Sequence, residues 1–125
     1  MGAATVRLRA QPPVQLPAAG EVYKVAGHIQ IPTDQKFNRR AVVVSTPRDL
    51  DGRVRIVTRT SDLKRKGVPS PIDPELGFDL PGVWGHYRSV DARLWLPPDV
   101  TYVGVLDMTI VSDICKFFGV RRAAP

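Results

Sequence analysis

The chain has 125 residues, 43% hydrophobic and 24% charged, which suits one folded domain and is too short for two of ordinary size. That hydrophobic share excludes wholesale disorder, and twelve prolines with ten glycines argue against a helical bundle. Cys115 is the only cysteine, so no intrachain disulfide can form, and the formal net charge of +6 favours anionic partners without naming one.

Residues 1–19 carry Pro12, Pro13 and Pro17 among small and polar residues with no sustained period, and read as a flexible leader. No apolar run approaches the roughly 18–20 residues of a membrane-spanning helix, and MGAATVRLRA has no hydrophobic signal core. The expectation is a soluble, cytoplasmic protein. Gly20–Ile31 is β-compatible up to Pro32, with Gly27 marking a bulge or bend. Arg39–Thr46 contains an unbroken run of valines, the pattern of a strand buried on both faces, and Pro47 closes it.

Arg48–Gly52 has the Asp-Gly chemistry of a tight turn, so the next segment should form a hairpin with the valine strand. Arg53–Ser61 alternates strictly. Val54, Ile56, Thr58 and Thr60 fall on one face, and Arg53, Arg55, Val57 and Arg59 on the other, so arginines should crowd one surface. From Asp62 to Gly82 four prolines and two interior glycines predict a long loop, a class of connection that often carries function. Val83–Leu96 and Thr101–Leu106 read as two more strands, divided by Pro97-Pro98. A short helix should follow, with Asp107 as N-cap, an inward stripe at Val111, Ile114, Cys115 and Phe118, and Gly119 just past its end. These elements describe a mainly β fold, a small, strongly curved antiparallel barrel with a C-terminal helix closing one end.

Charge is concentrated in the middle of the chain. Lys36–Lys66 holds ten basic and three acidic residues, and the rest of the chain is close to neutral. A basic band of this kind is the electrostatic footprint of phosphate binding, although a solvated strand face gives the same pattern. Phosphate-loop, dinucleotide and hydrolase-elbow motifs are all missing, and His28, His86 and Cys115 lie at no zinc-site spacing. No metal or cofactor is expected. His28 and His86 have the chemistry of an acid–base pair, but no spacing brings them together.

Four segments in order resemble the MazF/PemK family of toxin ribonucleases from bacterial toxin–antitoxin modules. Gly20–Val25 (GEVYKV) is similar to the family's opening strand, and Asn38–Ser45 (NRRAVVVS) to its R-P-A-V-V-[VL]-S strand. Val57–Ser61 (VTRTS) sits where that family has a strand ending in Thr. Tyr87–Trp95 (YRSVDARLW) is similar to a later strand with a [KR]-[ST]-[IV] core, followed by a last strand and helix. The likeness spans residues 20–119, leaving 120–125 as a tail.

The resemblance implies an SH3-like barrel, a homodimer inhibited by a cognate antitoxin, and metal-independent cleavage of single-stranded RNA at short sequences. It implies a catalytic pair of Arg39 and Thr60, with Arg40, Ser45, Arg59, Ser61, His86 and Arg88 as RNA contacts. Arg40 stands where the family has Pro, which leaves Arg39 and Arg40 both open as the catalytic arginine, and His86 or Tyr87 replaces a base-reading Gln. The other reading of the same residues is a barrel that binds nucleic acid or protein without cutting, in which Thr60 is a buried β-branched residue using its hydroxyl locally. Trp95 is expected in the core, and Trp84 either there or stacked on a base.

Overall fold

A computed structural model describes residues 16–33, 39–45 and 52–120. The expected turn at Arg48–Gly52 and the tail beyond Val120 lie almost wholly outside these residues, as does the leader before Leu16. Among these residues, six strands form one antiparallel sheet: β1 (Glu21–Val25), β2 (Arg39–Ser45), β3 (Arg53–Thr60), β4 (Val68–Ser70), β5 (Gly82–Asp91) and β6 (Val100–Val105). Their order across the sheet is β4-β5-β3-β2-β1-β6. One helix, α1 (Met108–Phe118), follows the last strand.

The valine run explains the centre of this arrangement. Ala41, Val42, Val43 and Val44 are all buried, because β2 has a core on each side. On one face Val42, Val44 and Val57 pack with Phe78, Trp84, Val111 and Ile114 beneath α1. On the other, Ala41, Val43, Val54 and Ile56 pack with Ile29, Val90 and Trp95. Both tryptophans are therefore core residues. Fully burying a side chain of this size stabilises the fold by about 1.5–3 kcal/mol relative to leaving it in water.

The sheet curls into a half-barrel whose two edge strands, β4 and β6, do not pair with each other. A 3-10 turn at Pro74–Leu76 bridges the gap between them, and buried Leu76 packs against Gly104 of β6. A Cβ at Gly104 would lie 2.7 Å from Leu76 Cδ2, so a larger residue there would push the leucine side chain aside. Helix α1 begins and ends as its sequence predicts. The Asp107 carboxylate accepts from the Thr109 amide at 2.8 Å, and Gly119 closes the helix at φ 67°.

Three boundaries differ from expectation. β1 stops at Val25, short of Ile31, and Gly27 marks the expected bend by opening a 3-10 turn at Gly27–Ile29. β5 stops at Asp91, whose side chain accepts from the Arg93 amide at 2.9 Å and turns the chain into a 3-10 turn at Ala92–Leu94. The Pro-rich segment is not a loop throughout, since Val68–Ser70 adds an edge strand to β5, a position where Pro69 needs to donate no ladder bond.

Candidate active site

Residues paired across antiparallel strands share a face, so the register locates each candidate. Ala41 of β2 lies opposite Thr58 of β3, and Thr58 lies opposite His86 of β5. Ala41, Thr58 and His86 therefore form a row across three strands. Arg39 and Thr60 each lie two residues beyond that row on their own strands, and strand alternation puts both on its face. Arg88 belongs to this face as well, opposite Ile56. The arrangement joins an arginine, a hydroxyl and an imidazole at one end of the sheet, where all three are half-buried.

His86 is electrostatically set. Partial burial, then the positive charges of Arg65, Arg88 and Arg39, hold its pKa below the ordinary imidazole value of 6.5. It is thus neutral at pH 7, with one ring nitrogen able to accept a proton. Thr60 Oγ1 accepts from the Asp62 amide at 3.1 Å, which uses one lone pair and leaves its O–H able to donate.

Arg40, next in sequence to Arg39, points to the opposite face. Its guanidinium lies under the turn at Gly77, where a Cβ would be 3.0 Å from Nη2, and its charge helps lower the pKa of Arg59. Arg59 shares that second face. Its Nε donates to Ser70 Oγ at 2.6 Å, Nη2 donates to the Leu80 and Ser70 carbonyls, and the guanidinium sits 4.2 Å from the Phe78 ring centroid. Burial first, then Arg40, lowers its pKa. Half-buried, Arg59 thereby braces the segment after β4.

Arg53 and Arg59 thus share one face of β3, as its alternation predicts. Arg53 is likewise bonded to Ser89 by Nε and Nη2, and both it and Arg59 face away from Arg39, Thr60 and His86. Ser45 lies at the far end of β2, six residues and about 20 Å of strand from Arg39. Ser61 is exposed just beyond Thr60. His28 pairs with Asp99 at 3.5 Å beside β1 and β6, on the other side of β2 and β3 from His86.

A contributor that the sequence did not single out is Arg65. Its Nε donates to the Gly85 carbonyl at 3.3 Å, which places its charge beside His86. The available signal was Gly85 itself. In β5 it is the extra residue of a bulge, between Thr58↔His86 and Arg59↔Trp84, and glycine within a strand marks a close approach. Among the described residues, no group of three or more His, Cys, Asp or Glu could hold a metal ion, and no helix is long and apolar enough to cross a membrane.

The molecule is thus a mainly β protein, a six-stranded half-barrel with a C-terminal helix and a polar site on one sheet face. Its fold is similar to that of a chain in the crystal structure of MazE-MazF (Form-III) from Deinococcus radiodurans, with a TM-score of 0.55 and 17% sequence identity. The match covers 86% of this chain and 100% of that one, and it is a likeness of fold. No family model matches the sequence, and no curated protein matches it.

Proposed function

We propose that this protein is a MazF-like toxin endoribonuclease that cleaves single-stranded RNA at short sequences without a metal. The observation that carries the reading is the convergence of Arg39, Thr60 and His86 on one face of the sheet. The likeness to a chain of a MazE-MazF complex adds to it.

The residue types suit the reaction. A ribose 2′-hydroxyl attacks the adjacent phosphorus when held in line, and negative charge grows on the phosphoryl oxygens. Arg39 meets that charge with paired N–H donors, and the Thr60 hydroxyl supplies one more. A neutral His86 takes the 2′-proton as the P–O bond forms, a role closed to an arginine that stays protonated. The P–O5′ bond breaks, the leaving oxygen takes a proton from water to become a 5′-hydroxyl, and the other fragment ends in a 2′,3′-cyclic phosphate. Arg88 extends the positive field along the same face.

On this reading the protein acts on its own cell's RNA in the cytoplasm as a homodimer, and a cognate antitoxin silences it by covering the basic site with an acidic or apolar segment. A second reading, binding without cutting, draws on the Thr60 hydroxyl serving the turn at Asp62. Incubation of the pure protein with RNA in EDTA separates the two. Cleavage by the wild type that falls about 100-fold or more in Arg39→Ala and in Thr60→Val supports the enzyme, that being the usual loss for one transition-state donor. Salt-sensitive binding with no new RNA ends supports the binding module.

A further inference from the structure

Between β3 and β4 the chain forms a tight turn that raises three successive cations. The Asp62 carbonyl accepts from the Arg65 amide at 3.1 Å and its carboxylate accepts from the Lys64 amide at 3.0 Å, leaving Lys64, Arg65 and Lys66 exposed. Arg65 lies flat on the bulge at Gly85, where an added Cβ would sit 2.6 Å from its Cγ. Across from this turn is the end of α1. Phe118 stacks on Tyr87 with ring centroids 6.1 Å apart, and Phe117 meets Phe118 edge-on at 4.8 Å. Phe117 falls off the buried stripe of the helix and is 51% exposed. Asp62, Lys64, Arg65, Lys66, Gly85 and the two phenylalanines enclose an open groove of about 560 Å³.

An exposed aromatic ring framed by three cations is the combination that binds single-stranded nucleic acid: bases stack on the ring and phosphates lie against the charges. We propose that this groove is a nucleotide subsite for single-stranded RNA, with Phe117 stacking a base and Lys64, Arg65 and Lys66 holding the flanking phosphates. The charge is complementary, since the rim carries three positive groups against the single carboxylate of Asp62, which is already engaged in its own turn. The groove also neighbours the strand that carries His86: Arg65, which lines it, donates to the carbonyl of Gly85, the residue before His86 in β5. A polymer with one phosphate per base fits consecutive cations beside one ring better than an acidic peptide does. The proposal rests on the function above for the polymer's identity as RNA, but not for its cleavage.

The test uses the full chain and a fluorescent 2′-O-methyl RNA 12-mer of mixed sequence, which has no 2′-hydroxyl to attack and reports binding alone. Phe117→Ala is expected to weaken binding at least fivefold with its salt dependence unchanged, and Phe117→Trp to restore it. The double variant Lys64→Ser/Lys66→Ser is expected to make the slope of log K against log[salt] shallower by about 1.4, the value for two lost phosphate contacts on a single strand. Wild-type affinity in both Phe117→Ala and the double-lysine variant overturns the subsite, even if wild-type protein cleaves unmodified RNA and Arg39→Ala does not. Failure of the wild type to bind the 12-mer, or its displacement by a glutamate-rich peptide at lower concentration than by unlabelled 12-mer, also overturns it. Phe117-dependent binding by a protein that cuts no RNA upholds the subsite and removes the cleavage reading instead.

Discussion

Arg39 and Arg40 are neighbours in sequence and opposites in place. Strand alternation sends Arg39 to the face of Thr60 and His86, and Arg40 under Gly77 beside Arg59. The sequence left the two arginines open because the choice depends on which face of β3 holds Thr60, and that depends on the pairing register. His86 is the residue whose surroundings say most about chemistry. Burial and the charges of Arg65, Arg88 and Arg39 favour its neutral form, so its pKa lies below 6.5. A base must be neutral to accept a proton, so RNA cleavage should rise with pH through that lowered value and then level off. Arg65→Ala removes a positive neighbour, makes the imidazolium easier to form and should move the acid limb to higher pH. A pH–rate profile of the two proteins checks this, and an unmoved limb contradicts the assigned role. The same shift bears on stability. Between the lowered pKa and 6.5 the unfolded chain binds more protons than the folded one, so His86 reduces stability as pH falls through that window.

At the level of elements, β3 does two jobs, one on each face. Its Thr58 and Thr60 face the candidate site, and Arg59 ties down β4 and the segment after it through Ser70, Leu80 and Phe78. Arg59→Ala should therefore lower stability by about 2 kcal/mol, in line with the loss of hydrogen bonds from a charged group, and lower the urea midpoint with little change in slope. Strand alternation made β2 and β3 legible in the sequence, and cap residues made α1 legible from Asp107 to Gly119. Elements fixed by long-range partners were not. β4 contains Pro69 and only three residues, and it exists because it lies along the β5 edge with Ser70 bonded to Arg59. The end of β5 at Asp91 rests on one side-chain bond to the Arg93 amide, a local signal that the apolar run through Trp95 concealed. The groove at Phe117 was hidden for a similar reason. Its cations and its rings are about fifty residues apart, and Gly85 brings the two walls together.

For the molecule as a whole, the sheet remains open and its closure is borne by side chains. The 3-10 turn carrying Leu76 spans from the β4 side to β6, where Gly104 admits it. Leu76→Ala should cost about 2–4 kcal/mol by leaving a cavity at that seam, measurable by denaturant unfolding. Closure by that turn lies on the α1 side of the sheet, and Arg39, Thr60 and His86 occupy the other face. The most direct test of the central claim, that these three side chains direct a 2′-hydroxyl onto its own phosphate, is the chemistry of the ends produced. Mass spectrometry of RNA fragments made in EDTA should find a 2′,3′-cyclic phosphate on one side of the cut and a 5′-hydroxyl on the other. Fragments ending in a 3′-hydroxyl and a 5′-phosphate, or intact RNA, would contradict it.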